Sequence, residues 1–265
     1  MVLKRGSSGA EVEQLQERLI QLGFPPGDVD GRFDNGTEAA VIAFQKSEGL
    51  LPDGIAGPRT LAKLGLTSVE ALPSAIPGVT VAIVSEMFPF TPIGNIKANL
   101  PVVLDALVPP RLDDRPMVLM ALATIRAETE SFRPVAEGQS RFNTSPNGHP
   151  FDLYDHRADL GNRGAPDGER FRGRGFVQLT GRDNYRRFGA VIGLGEGLLE
   201  NPDQACDPPI AARLLAAFLG AHEIAIKQAL LEGDLKHARR FVNGGSNGLD
   251  RFTDAYRIGD RLLPQ

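Results

Sequence analysis

This 265-residue sequence has one cysteine, Cys206. A single thiol excludes an intramolecular disulfide and any cysteine-based metal cage, and among apolar neighbours it reads as an inert interior residue. There is no excess of either charge: the net charge is −4 and the isoelectric point about 5.7, which argues against a general nucleic-acid binder. Long apolar runs are also missing. The N-terminal "MVLKRGSSGAEVEQL" has no apolar core of the kind a signal peptide needs, and the "VTVAIV" of Val79–Val84 is far too short to span a bilayer. The expectation is a chain made in the cytoplasm without a signal peptide, with no membrane span and no nucleic-acid partner. No serine-triad elbow, Walker loop, HExxH zinc motif or dinucleotide fingerprint occurs.

What is present suffices for a core, since 42% of the residues are hydrophobic, and the length suits two domains. The first 65 residues hold a half-repeat. "DGRFDNGTEAAV" begins at Asp30 and "DGIAGPRTLAKL" at Asp53, and in each a threonine follows the aspartate by seven residues, Thr37 and Thr60. Asp-Gly suits a turn, and the threonine can cap the helix after it. Apolar residues then recur at helical spacing: Ala40, Val41 and Phe44, then Leu61 and Leu64. Upstream, Val12, Leu15, Leu19 and Leu22 mark another amphipathic helix, ended by Gly23. Together "VEQLQERLIQLGF", "DGRFDNGTEAAVIAFQ" and "LLPDGIAGPRTLAKL", roughly residues 3–65, resemble the peptidoglycan-binding module of cell-wall hydrolases.

The expected boundaries are a small three-helix wall-binding domain over 1–66, a Pro-containing linker over 67–78, and a larger catalytic domain over 79–265. The fold class is mainly α. Helical patterns cover Ile96–Leu107, Arg115–Phe132, Ile210–Leu231, Leu235–Val242 and Arg251–Leu263, and no large sheet is evident. Between Gly138 and Arg174 a long irregular segment is rich in Gly, Pro, Asn and Asp, as befits a functional loop region.

Three glutamates, Glu128, Glu130 and Glu137, crowd "LATIRAETESFRPVAEG". Asp113 or Asp114 can cap the helix leading in, Pro116 suits its first turn, and Pro134 stops it. Glu128 continues the apolar stripe of Val118, Ala121, Leu122 and Ile125, at the negative end of the helix dipole. Burial and the dipole both favour its protonated form, which a general acid needs. Glu137 falls in the polar loop, where it stays ionised and can serve as base. Glu130 lies about 200° around the helix from Glu128 and reads as solvated.

The stretch "RFRGRGFVQLTGRDNY", Arg170–Tyr185, adds Gly173 and Gly175 for close backbone approach. Gln178, Thr180 and Asn184 follow, side chains that can hydrogen-bond a polar polymer or hold a water. This block resembles the signature of glycoside hydrolase family 19, the chitinase-like fold also found in phage lysozymes, and the resemblance covers about residues 85–263. It implies that Glu128 is the general acid. Glu137, nine residues on, matches the second glutamate of the phage-type lysozymes, and Thr180 the hydroxyl that positions the attacking water. Asn184 and the Asn243 of "VNGG" match sugar-contacting positions. Tyr154, within a "Y…R…GN…GDG" pattern, belongs to one wall of the cleft. Gln178 and Arg174 complete the expected substrate-binding set. The sequence departs from the family around the acid: Ala127 precedes Glu128, and Glu130-Ser131 follow, where the family often has His and Gly-Gly. Arginines 170, 172, 174, 182, 186 and 187 are either paired with acidic neighbours or attract an anionic polymer.

The reading that results is a modular endolysin, an inverting muramidase of bacterial peptidoglycan, needing no cofactor or metal and expected to act as a monomer on the wall after release from the cell. Its rivals are a chitinase, a zinc amidase or peptidase built on His149, Asp152, Asp155 and His156, and a non-catalytic wall-binding protein.

Overall fold

A computed structural model describes residues 2–66, 72–243 and 248–264; of Asn243 only the backbone is described. The chain divides into two compact units between Ala71 and Leu72.

The first unit contains α1 (Ala10–Gln21), α2 (Asn35–Ser47) and α3 (Pro58–Lys63). Their stripes meet in a core of Val12, Leu15, Leu19, Phe33, Val41, Phe44, Leu61 and Leu64. Leu22 falls just past the end of α1 and stays exposed. The repeat is real, but its threonines are not caps. Asp34 caps α2 by accepting the Thr37 backbone N–H, and α3 starts at Pro58 without a side-chain cap. Thr37 and Thr60 instead accept hydrogen bonds from two buried glutamines. Gln16 Nε2 reaches Asp30 Oδ1 (3.2 Å), the Arg32 carbonyl (3.1 Å) and Thr37 Oγ1 (3.1 Å), while its Oε1 takes the Gly31 N–H (2.9 Å). Gln45 repeats the pattern with Asp53 (2.9 Å), the Ile55 carbonyl (2.9 Å), Thr60 (3.2 Å) and Gly54 (2.9 Å). Each glutamine satisfies the backbone groups of one Asp-Gly turn from inside the module.

In the second unit the helices are α4 (Val81–Met87), α5 (Ile93–Leu107), α6 (Arg115–Glu128), α7 (Asp152–Asp155), α8 (Asp167–Arg170), α9 (Arg182–Val191), α10 (Gly197–Glu200), α11 (Pro208–Ala221), α12 (Glu223–Leu231), α13 (Leu235–Asn243) and α14 (Leu249–Leu262). A two-residue ribbon pairs β1 (Val135–Ala136) antiparallel with β2 (Arg174–Gly175). Residues 72–78, expected as linker, belong to this unit: Ser74 bridges to Asp114 and the Ala75 N–H bonds the Asp113 carbonyl.

Helix α6 is the axis. Every residue from Met117 to Ala127 is buried, as expected of a helix apolar around most of its circumference, and α4, α11, α12 and α14 pack on it. The close crossing with α14 needs Gly259, where a Cβ would come within 2.6 Å of Leu119 Cδ2. Asp114 caps α6, as the sequence indicates, by accepting the Met117 N–H at 3.1 Å.

Two of the expected helices break or stop earlier than their pattern indicates. The helix expected over Ile210–Leu231 is two helices that break at His222 and bend by 68°. No single helix among the described residues is long and apolar enough to cross a membrane. Helix α6 stops at Glu128 rather than Phe132, because Glu130 (φ 48°) and Phe132 (φ 52°) adopt left-handed backbone. Tertiary contacts hold that turn. Thr91 Oγ1 donates to the Glu130 carbonyl, Asn95 Nδ2 to the Ser131 carbonyl (2.9 Å), and Phe132 stacks edge-on against Phe88 at 4.8 Å.

Candidate active site

Six of the eight expected site residues line one cleft of about 430 Å³: Glu128, Glu137, Tyr154, Gln178, Thr180 and Asn184. Apolar walls are supplied by Leu160, Val177, Leu179, Phe218 and Val242. The volume and the mixture of apolar walls with a few polar groups suit a small-molecule or oligomer site.

Glu128 enters from the C-terminal end of α6, its side chain only 14% exposed. Its Oε1 accepts from Arg239 Nη2 at 2.6 Å, and that guanidinium, on α13, is itself 1% exposed. Sequence spacing gave no hint of this cation, which lies 111 residues away. The pair sets a buried cation directly against this carboxylate.

Glu137 is placed by the ribbon: it directly follows β1, and its backbone N–H bonds the Gly173 carbonyl beside β2 at 2.7 Å. Its carboxylate accepts from Asn143 Nδ2 (2.9 Å), the Tyr154 hydroxyl (3.0 Å) and the Gly173 N–H (3.2 Å). All three donors are neutral, so this carboxylate sits in a different setting from Glu128. Burial, then the negative charge and hydrogen bond of Glu137, push the Tyr154 phenol up to about 12, so it stays a donor at ordinary pH. Asn143, fully buried, is a site residue that sequence reasoning missed. It also donates to the Gly138 carbonyl at 2.9 Å and so closes the loop carrying Glu137. Its only trace in the sequence was a position within the irregular segment.

Thr180 Oγ1 donates to the Gln178 carbonyl at 2.8 Å, and Asn184 Nδ2 donates to the Thr180 carbonyl at 2.8 Å. Asn184 therefore braces the threonine as well as facing the cleft.

One expected residue does not belong to this group. Arg174 is 3% exposed and lies outside the cleft lining. Its guanidinium is consumed by Asp203 (2.9 Å), the Tyr185 hydroxyl (3.0 Å) and the Arg170 carbonyl (2.9 Å), so it ties β2 to the residues behind it. The Asn243 side chain lies outside the described residues. Glu130, expected to be solvated, is clamped by Arg126 (2.6 Å) and Arg251 (2.8 Å). Burial works to raise its pKa, but the hydrogen bonds and charges of Arg251 and Arg126 prevail and hold it below the ordinary value.

In the arginine-rich stretch Arg174 pairs with Asp203, Arg182 with Asp167 and Arg186 with Asp183, while Arg170 bonds the Leu199 carbonyl. Asn162 is structural, donating to the Tyr154 carbonyl (2.8 Å) and accepting the Arg182 N–H (3.0 Å). In the zinc alternative two members pair with each other and a third is bonded outside the set. His149 meets Asp155 at 2.9 Å, and Asp152 accepts the Ser145 N–H at 2.8 Å. Among the described residues no group of three His, Cys, Asp or Glu is arranged to hold a metal. Cys206 is free and half-buried rather than fully interior.

Known proteins match the chain unevenly. Residues 8–64 match the family described as "Putative peptidoglycan binding domain". The first unit carries a peptidoglycan-binding domain. The N-acetylmuramoyl-L-alanine amidase CwlL of Bacillus licheniformis is 49% identical over 61 residues, 22% of this chain and 17% of that protein. A glycosyl hydrolase family 19 domain-containing protein of Haemophilus influenzae is 30% identical over 105 residues, 40% of this chain and 48% of that protein. That stretch is longer than the first unit, so the similarity extends into the second. The chain thus spans less than half the length of these relatives. The crystal structure of chitinase C from Streptomyces griseus HUT6037 is 20% identical, with a TM-score of 0.45, over 71% of this chain and 78% of that one.

Proposed function

We propose that the second unit is a glycoside hydrolase of peptidoglycan, cutting the β-1,4 bond between N-acetylmuramic acid and N-acetylglucosamine, while the first unit holds the enzyme on the wall. The observation that carries this reading is the convergence of Glu128, Glu137 and Thr180 on one cleft, with the two carboxylates in unlike surroundings. One sits against a guanidinium at a helix end; the other is cradled by neutral donors. Paired carboxylates in different environments are what acid/base glycoside cleavage requires.

In the proposed reaction Glu128 delivers its proton to the leaving glycosidic oxygen as the bond to the anomeric carbon breaks. Glu137 takes a proton from a water beside Thr180, and that water attacks the opposite face of the sugar, inverting the anomeric centre. Such a water needs the carboxylates roughly 6.5–9.5 Å apart. The peptidoglycan-binding domain in the same chain favours the wall polymer over chitin as substrate, and the site of action is the cell wall after release.

The test is mass spectrometry of borohydride-reduced fragments released from purified peptidoglycan. Reduced muramic acid ends are expected. Freed peptides without new sugar ends, or ends at N-acetylglucosamine, would overturn the assignment. Proton NMR of the first-formed anomer checks inversion.

A further inference from the structure

Resting on that reading, we propose that Gln178 is a positioning residue for the attacking water, and that Gly173 provides the space in which that water sits. A substrate-contacting role is the sequence-level expectation for Gln178; the geometry points elsewhere. Gln178 has left-handed backbone, φ 51°, a conformation that side-chain-bearing residues keep only where the surroundings enforce it. Its Nε2 donates to the Val135 carbonyl at 2.9 Å and the Gly175 carbonyl at 3.1 Å. Both amide hydrogens are thereby committed to the ribbon. A flipped amide would set Oε1 against two carbonyl oxygens, so the orientation is decided and Oε1 is left as a pure acceptor.

Two more acceptors share its location. Thr180 spends its hydroxyl proton on the Gln178 carbonyl, leaving lone pairs. As the base of the proposed reaction, the Glu137 carboxylate can only accept. A Cβ placed on Gly173 would stand 2.9 Å from Gln178 Oε1, 3.2 Å from Glu137 Oε2 and 3.3 Å from Thr180 Oγ1, so the three oxygens converge over the α-carbon of this glycine. Gly173 does not have left-handed backbone; it is required here for space, and its N–H is already given to Glu137.

A nook ringed by three acceptors selects a small molecule with two hydrogens to give. Water that donates one hydrogen to Glu137 and the other to Gln178 or Thr180 turns its lone pair away from all three, toward the cleft. When it attacks the anomeric carbon, the proton on Glu137's side passes to Glu137 and the other stays on the new hydroxyl. The glycosidic oxygen leaves with the proton from Glu128.

Gly173→Ala tests this with the three oxygens kept. The closest clash is with the end of a flexible side chain, so the fold is retained. On soluble glycan oligomers kcat should fall on the order of 100-fold or more, as for a misplaced reacting group, with KM within about threefold. Gln178→Ala should show the same split; a raised KM with kcat intact would make Gln178 a sugar contact and overturn the proposal, as would a wild-type kcat in Gly173→Ala. A crystal structure gives a readout independent of turnover. Water bound to these three oxygens in the wild type, and expelled in Gly173→Ala, is expected. Its absence in the wild type overturns the inference even if the enzyme cleaves glycan. Failure of the wild type to cleave any glycan would instead overturn the glycosidase reading.

Discussion

Replacing Glu128 in two ways separates chemistry from stability. Glu128→Gln keeps an oxygen for Arg239 but removes the transferable proton; Glu128→Ala removes both. General-acid catalysis contributes about 10²–10⁴ in rate, which is roughly 2.7–5.5 kcal/mol of barrier at 1.36 kcal/mol per decade. Both variants should therefore lose at least that factor in clearing purified cell walls. Their stabilities should differ. Arg239 is a fully buried cation whose Nη2 lies 2.6 Å from the carboxylate. The glutamine still accepts that hydrogen bond and loses only its charge assistance, about 1 kcal/mol. The alanine removes the acceptor as well, and taking that acceptor from a buried donor costs about 1–3 kcal/mol more. The gap of about 1–3 kcal/mol corresponds to roughly 2–12 °C in Tm for a unit of this size. Wall clearing and thermal melts on the same preparations read both quantities. A glutamine variant within tenfold of wild-type activity refutes Glu128 as the acid. An alanine variant as stable as the glutamine one refutes the dependence of Arg239 on this carboxylate.

Four other outcomes follow from the geometry. Glu137→Gln should lose at least about 100-fold in wall cleavage with little change in wall binding, since its one oxygen still serves Asn143 and Tyr154 while its amide cannot take a proton. Glu130→Gln should destabilise by up to about 1 kcal/mol at neutral pH, the carboxylate being 40% exposed and partly screened. Because the folded carboxyl is held below its ordinary value, that stabilisation is present above about pH 4.3 and lost as pH falls further. Urea melts at pH 7 and pH 3 should therefore show the wild-type advantage shrinking at pH 3; a constant gap would remove the ion pairs from the account. Gln16→Ala should destabilise the first unit by about 1–3 kcal/mol for each turn group left without a partner, read by melts of the full chain. Deleting residues 1–66 should weaken sedimentation with purified walls far more than cleavage of short soluble fragments.

Local chemistry was legible in the sequence where it acts within a few residues. Asp114 and Pro116 start α6 because capping and proline geometry are settled within one turn. The stripe carrying Glu128 to a buried helix end follows from helical periodicity, and the Asp-Gly turns of the first unit from their own backbone needs. Glu137, Thr180 and Asn184 were singled out by motif, and one cleft gathers them.

What the fold alone decided are pairings between distant segments. Helix α6 ends three residues past its last predicted stripe contact, not four further on, because Thr91 and Asn95 hold the backbone of Glu130 and Ser131 in a turn that helix propensity does not encode. Arg239 reaches Glu128 across 111 residues, and Asn143 closes a loop onto Glu137. Arg174 was expected to bind substrate because it stands in the family-like stretch, yet Asp203 and Tyr185 take its guanidinium and make its burial tolerable. Gln16 and Gln45 escaped the repeat pattern because they stand at unequal distances from their turns, 14 residues before Asp30 and eight before Asp53. Periodicity and motifs report how a residue relates to its neighbours in the chain. Which charge faces a carboxylate, and which oxygens ring a glycine, depends on segments meeting in space, and that information exists only once the helices have packed.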